Sequence, residues 1–285
     1  MKYWCFYHSS DFDGHCSGAI VRHFIKMLND VEPIMVGINY GQDFPWSDIA
    51  QDDVVYMVDF GLQPFNDMVL LNSICNLIWI DHHNTVINDI DESGIKFDGI
   101  QRDGIGACAL CWEYFVSNKK PLPYGVKLLA EYDVWDHSNK YTLPFQYGLR
   151  LNNNTFPDSG IWDNIINKDF EFLRDTIQDG KVALKYDDMN NELFCKSYSF
   201  DTEINGLKAI AVNKGICSSR IFRSVWDADK YDCMLTFCRS KESEWFCSIY
   251  SDKEGVDVSK TAVLFGGGGH KQAAGFQCKV LPFEV

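Results

Sequence analysis

Leu77-Ile78-Trp79-Ile80-Asp81-His82-His83 is the stretch whose reading decides the fold. Its first four residues are apolar, an uninterrupted run of the length that forms a buried strand. The run stops at a carboxylate followed by two imidazoles. Such a trio, where a strand gives way to a loop, can hold a metal and can also handle a proton. By itself the tripeptide also fits an incidental polar loop, so its meaning depends on what the other strand ends carry.

Working outward, Tyr3 to His8 reads as another buried strand, and it runs into His8-Ser9-Ser10-Asp11-Phe12-Asp13-Gly14. A helical pattern follows, with Cys16, Ala19, Ile20, Phe24, Met27 and Leu28 on one face. Ile34 to Ile38 and Val54 to Val58 are two further short strands, the second ending in Asp59. Phe60, Gly61 and Pro64 then turn the chain into a helix carrying Met68, Leu71 and Ile74. Strand, polar loop and helix in repetition indicate an α/β unit, and such folds place ligands at the carboxyl ends of their strands. Three strand ends thus present His8/Asp11/Asp13, Asp59 and Asp81/His82/His83. Asp11 or Asp13 alone would suit a helix cap. Three successive ends with only Asp and His as polar cargo read as a site.

Asn84 to Arg102 has no strong periodicity and reads as a loop. Gly104-Ile105-Gly106-Ala107 leads into a helix through Ala109, Leu110, Trp112, Glu113 and Phe115, ended by Pro121 and Pro123. An apolar helix over Val126 to Ala130 runs into Glu131-Tyr132-Asp133-Val134-Trp135-Asp136-His137, where Asp133 and Asp136 are both candidate ligands. Two polar helices, Asn164 to Ile177 and Lys181 to Cys195, are expected with a break at Gly180. From Lys196 the pattern changes to β alternation, as in Lys208 to Val212, Cys233 to Phe237 and Trp245 to Ile249. A last helix, Val258 to Phe265, ends in Gly266-Gly267-Gly268-Gly269-His270-Lys271. The expected architecture is α/β: an N-terminal, mostly parallel sheet flanked by helices, a helical linker, and a smaller C-terminal α/β domain with a mixed sheet. The expected boundaries are residues 1–180, 181–195 and 196–285.

The bulk properties agree with two halves doing different jobs. The 285 residues are long for one domain and 46% apolar, enough for two cores. Residues 1–180 hold 12 Lys and Arg against 26 Asp and Glu, whereas residues 181–285 hold 14 of each. A protein that grips long duplex nucleic acid usually carries a basic surface; this chain does not, and no duplex partner is expected. The longest apolar runs are strand-sized, so no membrane span is expected. The start, Met1-Lys2-Tyr3-Trp4-Cys5-Phe6-Tyr7, lacks a signal-peptide pattern and reads as the first strand of a cytoplasmic protein. The 11 cysteines follow no framework and are expected reduced and mostly buried.

Oxygen ligands suit Mg²⁺ and Mn²⁺, and imidazole shifts the preference towards transition metals. A mixed Asp and His set without Cys therefore favours two Mn²⁺, with Mg²⁺ or Co²⁺ as alternatives. Two ions about 3.5–4 Å apart need a bridging carboxylate and several terminal ligands. His8, Asp11, Asp13, Asp59, His82 and a later Asp supply that number, and Asp59, central in order, is the natural bridge.

These motifs, His8 to Gly14, Val58-Asp59, Asp81-His82-His83 and Asp133-Val134-Trp135, resemble the DHH phosphoesterases, and Gly266 to Gly275 resembles the glycine-rich signature of the DHH-associated C-terminal domain. The resemblance runs through nearly the whole chain in the family's motif order. It implies that His8, Asp11 and Asp59 hold one Mn²⁺, and that Asp13, Asp59, His82 and Asp133 hold the other. It also implies that His83 faces the scissile phosphate and that Asp81 fixes an imidazole. Substrate contacts would come from Gly267, Gly268, Gly269, His270 and Lys271, where successive backbone N–H groups can cradle an anion, and from Arg220. Arg223 and Lys260 are further candidates, and Tyr250 and Phe276 could stack on a base. Small RNases of this family carry a Ser-x-Arg-Ser-like strand where this chain has Ser248-Ile249-Tyr250-Ser251, so a Tyr stands in place of a charged fork.

The implied activity is Mn²⁺-dependent hydrolysis of phosphodiester bonds in short single-stranded oligonucleotides (nanoRNA) or dinucleotides. Alternatives are a phosphatase for pAp-like nucleotides, a cyclic-nucleotide phosphodiesterase, or a nucleotide-binding regulator without catalysis. A homodimer is among the assemblies left open.

Overall fold

In the computed structural model, residues 1–116, 120–241 and 243–285 are described. Its first strand, Tyr3–His8 (β1), shows how the N-terminal sheet is built. Cys5 and Tyr7 enter one buried cluster and Trp4 and Phe6 the other, so alternate side chains feed cores on both faces. An apolar run without alternation in polarity is what such a two-faced strand requires.

After β1 come helix Phe12–Asn29 (α1), strands Ile34–Ile38 (β2) and Val54–Val58 (β3), helix Phe65–Ile74 (α2) and strand Asn76–Asp81 (β4). Helix Asn84–Ser93 (α3) and strand Asp98–Gln101 (β5) follow, then helices Ala107–Phe115 (α4), Tyr124–Asp133 (α5), Thr142–Leu149 (α6) and Ile161–Ile166 (α7). The strands form one sheet in the order β2-β1-β3-β4-β5, with every neighbouring pair parallel. On one face, Tyr7, Tyr56, Val58 and Ile80 pack with α1, α4 and α5 residues such as Ile20, Leu110 and Leu129. On the other, Phe6, Met57 and Trp79 pack with Met68 and Leu71 of α2 and Val86 of α3.

Parallel pairing brings all carboxyl ends to one edge. The register sets Tyr7 beside Val58 and Val58 beside Ile80, so His8, Asp59 and Asp81 come next in line. Asp59 is fixed by its own N–H, which donates to Ile80 O at 3.0 Å. Its φ of 55° is left-handed, a region that Asp enters more readily than most residues. The indole Nε1 of Trp79 donates to Phe60 O at 2.9 Å and pins the loop that follows.

A 29-residue helix, Phe170–Tyr198 (α8), runs on without interruption. The expected break at Gly180 is therefore corrected. Gly180 serves close approach instead: a Cβ there would lie 1.7 Å from Pro144 O on α6. By contact density the chain separates into Met1–Leu184 and Lys185–Val285, a division that falls within α8.

The second unit holds strands Phe200–Ile204 (β6), Leu207–Asn213 (β7), Cys233–Arg239 (β8), Trp245–Tyr250 (β9), Gly268–His270 (β10) and Ala273–Cys278 (β11), with helix Val258–Leu264 (α9). Its sheet has the order β10-β11-β9-β8-β7-β6 and is mixed, since β7 and β8 are parallel and the other pairs antiparallel. Ala211, Leu235 and Ile249 pack under Val258 and Ala262 of α9. Ile210, Val212 and Met234 face Cys195 of α8 and the 3₁₀ turn Ser219–Ser224 with Ile221 and Phe222.

The expected loop over Asn84 to Arg102 is likewise corrected, since α3 and β5 lie within it. Both are short, and α3 turns one narrow face, Val86 with Ile90, to the core, so few apolar residues mark it in the sequence. All 11 cysteines are free thiols, and no described helix is long and apolar enough to cross a membrane.

Candidate metal centre

Four segments carry side chains to the carboxyl edge of the parallel sheet. The junction of β1 and α1 brings His8 from the strand end, Asp11 from the loop and Asp13 from the first helical turn, the end of β3 brings Asp59, the end of β4 brings His82 and His83, and the end of α5 brings Asp133. Asp11 is the N-cap of α1 and accepts from Gly14 N at 2.8 Å through Oδ1, while its Oδ2 stays turned towards His8. Gly14 permits the sharp turn, because a Cβ there would lie 2.0 Å from His8 O.

The two sides of Asp59 face different groups. His8 Nδ1 lies 2.8 Å from Asp11 Oδ2 and 3.7 Å from Asp59 Oδ2. His82 Nε2 lies 3.3 Å from Asp59 Oδ1, 3.1 Å from Asp133 Oδ2 and 3.9 Å from Asp13 Oδ2. One buried carboxylate is thus shared by a His8/Asp11 group and a His82/Asp13/Asp133 group. Donor atoms of His8, Asp11 and Asp59, of Asp13, His82 and Asp133, and of Asp59, His82 and His83 converge within 4.8 Å in each set. The buried Nδ1 of His8 makes no hydrogen bond of proper geometry, although Asp11 is near. An imidazole nitrogen and carboxylate oxygens that converge without bonding one another suit a shared cation.

The electrostatics point the same way. His8 is pushed up to about 10: burial alone would lower it, but the carboxylates of Asp11 and Asp59 outweigh that. His82 is pushed up to about 12, with burial again opposed, here by Asp133, Asp59 and Asp13. Burial and the neighbouring Asp59 and Asp133 hold Asp13 well above the ordinary carboxylate range, and burial likewise raises Asp59. Crowding of like charges out of water is what raises Asp13 and Asp59, and a cation placed among them would relieve it. Oxygen-rich, imidazole-containing and without thiolates, the set fits two divalent ions.

Asp13 has a further support that the sequence did not disclose. Its two carboxylate oxygens accept from Ala107 N at 2.6 Å and Cys108 N at 2.9 Å, at the N-terminus of α4. The helix end favours the carboxylate's charge. The Gly104-Ile105-Gly106 entry to α4 was the available signal.

No protein-family model matches the sequence. An uncharacterized protein of Acanthamoeba polyphaga mimivirus is 25% identical over 305 residues, covering 98% of this chain and 69% of that protein. Among solved structures, the DHH domain of a protein assigned to a ribosomal-protein family superposes with a TM-score of 0.58 at 12% identity, over 96% of this chain and 82% of that one. The pGpG-specific phosphodiesterase PggH of Vibrio cholerae gives 0.56 at 11% identity, over 97% and 93%. This chain has the fold of the DHH phosphoesterases. An exopolyphosphatase-related protein of Bacteroides fragilis gives 0.50 at 14% identity, over 98% and 88%.

Within this DHH fold the triplet divides its tasks. Asp81 Oδ1 lies 2.7 Å from His83 Nδ1, so Asp81 fixes the His83 ring, while His82 points Nε2 at Asp59 and Asp133. Asp133 joins the cluster. Asp136 is exposed, accepts from Ser138 N, and belongs to none of the converging groups.

The remaining candidates lie in the second unit. Gly268 to His270 form β10, paired antiparallel with Ala273 to Gly275 in an exposed hairpin, with Gly267 just before it and Lys271 in its turn. Arg220 makes a bidentate pair with Asp188 at 2.8 and 2.6 Å, and Arg223 reaches the same carboxylate at 3.2 Å. Lys260 is exposed beside Asp257 at 3.7 Å. Tyr250 is half-buried and its hydroxyl donates to Cys217 O at 3.4 Å. Phe276 is 4% exposed and packs on Phe265, so it is core, and the expectation that it stacks on a base is corrected.

Proposed function

We propose that this chain is a metal-dependent phosphoesterase that hydrolyses phosphodiester bonds in short single-stranded oligonucleotides or dinucleotides. The observation that carries the reading is the placement of Asp59, with Oδ2 towards His8 and Oδ1 towards His82. In the proposal, His8, Asp11 and Asp59 hold one divalent ion and Asp13, Asp59, His82 and Asp133 the other, with Mn²⁺ the preferred metal. When bound, such a pair supplies a nucleophile at neutral pH and neutralises charge on a phosphoryl oxygen. His83 receives its orientation from Asp81 at Nδ1, which leaves Nε2 to hold a proton or a hydrogen bond for the substrate. Asp13 is fixed by the α4 N-terminus, so one wall of the site is set before any substrate arrives.

The solved structures that share the fold support the reading through their own activities, a pGpG-specific phosphodiesterase and an exopolyphosphatase-related protein. The surplus of acidic residues in the first 180 positions argues against long duplex substrates. In the second unit, the hairpin from Gly267 to Lys271 is the proposed phosphate contact, because its backbone is exposed and free of bulky side chains at Gly268 and Gly269. The test is incubation with Mn²⁺ and 5′-labelled RNAs of two to five nucleotides. Shortened products, absent from an Asp59→Asn control, are expected. No product from protein shown to bind metal overturns the reading.

A further inference from the structure

The sequence of α8 carries an apolar pattern that the buried clusters leave unused. Val182, Tyr186, Met189 and Leu193 follow one another at intervals of four, three and four residues. At about 100° per residue this spacing holds all four within an arc of about 60°. They are 72, 67, 57 and 65% exposed. The opposite side of the same helix is the buried one: Leu173 and Ile177 enter the core of the first unit, and Cys195 enters a cluster of the second. α8 thus has two apolar faces, and the described residues cover one of them. Single exposed apolar side chains are ordinary, but a stripe of large ones at coiled-coil spacing marks a contact surface.

The charges beside the stripe say what fits it. Asp179 and Lys196, both exposed, lie one turn beyond its two ends. Lys185 and Glu192, also exposed, flank it a heptad apart. A second copy of α8 laid antiparallel, with a two-fold axis at the middle of the stripe, sets Val182 against the partner's Leu193 and Tyr186 against the partner's Met189. The same register sets Lys185 against the partner's Glu192 and Asp179 against the partner's Lys196. Every flanking charge then meets its opposite, and the two-fold makes each contact twice. In a parallel pair, Asp179 would meet Asp179 and Lys196 would meet Lys196. A lipid surface or a partner of one charge sign would answer only two of the four flanking charges. Glu192 and Lys196 also pair with each other at 2.5 Å, but their side chains are 50 and 62% exposed, which leaves room for a second partner.

We propose that α8 is a dimerisation helix, and that two copies of this chain pair antiparallel through Val182, Tyr186, Met189 and Leu193. From Asp179 to Lys196 the contact is about 27 Å long. That is the small end of specific interfaces, so the dimer forms and dissociates with concentration, at a Kd in about the micromolar range.

Sedimentation of the full chain from about 1 to 100 μM brackets such an affinity and tests the pairing. The wild type is expected to pass from monomer to dimer across that range. Met189→Glu, a change at an exposed position, should leave Tm unchanged and keep the chain monomeric throughout. Lys185→Glu and Glu192→Lys each bring like charges together twice per dimer, and each should weaken self-association by about tenfold. An equimolar mixture of those two variants should dimerise again, because the new carboxylate of one meets the new ammonium of the other. A wild type that stays monomeric overturns the proposal, as does a Met189→Glu protein that still dimerises. A mixture that associates no more tightly than its two components overturns the antiparallel register.

Discussion

Asp81 Oδ1 accepts at once from His83 Nδ1 at 2.7 Å, from His82 N at 2.7 Å and from His83 N at 3.2 Å. A single oxygen of a fully buried carboxylate thus sets the backbone of both histidines and the ring of the second. Asp81→Ala is expected to lower turnover by about 10–100-fold, the usual cost of losing a carboxylate behind a site imidazole. It should also cost about 1–3 kcal/mol of stability by stranding buried donors. Steady-state kinetics and urea unfolding measure the two effects. Full turnover in a folded Asp81→Ala protein would show that His83 orientation does not matter.

Asp59 offers a case in which function and stability oppose each other. It is 2% exposed, burial raises it above the usual carboxylate range, and Asp11 and Asp133 add repulsion. Asp59→Asn keeps the shape and tolerates the left-handed φ of 55°. In metal-free protein it should raise stability by about 1 kcal/mol, a shift of roughly 2–4 °C in Tm. With Mn²⁺ added the order reverses, because ligation stabilises the wild type by about 2.7 kcal/mol at a hundredfold excess over Kd. Turnover should fall at least about 10²-fold. Calorimetric scans with and without Mn²⁺ decide it, and a variant that binds both ions as tightly as wild type removes Asp59 from the bridging position.

Asp53 gives the chain a pH-dependent anchor away from the site. The carboxylate is 1% exposed and accepts from Lys2 N at 2.7 Å, Trp4 Nε1 at 3.1 Å and Ala50 N at 3.1 Å. Burial acts to raise its pKa, but these donors prevail and hold it below the ordinary value. A depressed folded pKa means that the stabilisation is complete above the unfolded value of about 3.9 and is lost as pH falls through the lower folded value. Asp53→Asn should cost about 1–3 kcal/mol at pH 7. It should also flatten the acid limb of stability below about pH 4. Urea unfolding at pH 7 and pH 3 checks both, and an unchanged difference between the two pH values would exclude Asp53 from the acid response.

What could be read before folding followed from how strongly each feature is written locally. His8, Asp59 and Asp81-His82-His83 stand out because buried parallel strands are apolar throughout, so polar residues at their ends are conspicuous. α3 and β5 were hidden because both are short: α3 turns Val86 and Ile90 to the core but has few other apolar residues, and β5 has four residues. Gly180 looked like a helix break, but the close approach of Pro144 that demands a glycine there comes from another helix. Asp133 and Asp136 could not be separated by spacing, since only the end of α5 decides which one turns towards His82.

Gly14 tests whether the loop before α1 is built for its glycine. In the first turn of a helix, Gly→Ala ordinarily stabilises by up to about 1 kcal/mol. At Gly14 the added Cβ would lie 2.0 Å from His8 O and 2.8 Å from His8 Cβ, and neither can retreat without moving a candidate ligand. Gly14→Ala is therefore expected to destabilise by about 1–3 kcal/mol, as overpacking does, and to weaken Mn²⁺ binding by about tenfold or more, the scale seen when a ligand's support is disturbed. Gly160 supplies the contrast: it has a φ of −62°, and a Cβ there meets nothing within 4 Å. Gly160→Ala should be neutral or slightly stabilising, within about 1 kcal/mol, and should leave Mn²⁺ affinity alone. Denaturant unfolding and metal titration of the two variants separate the cases. Equal behaviour at both positions would mean that His8 can shift without loss, and the His8/Asp11/Asp59 group would no longer require this loop geometry.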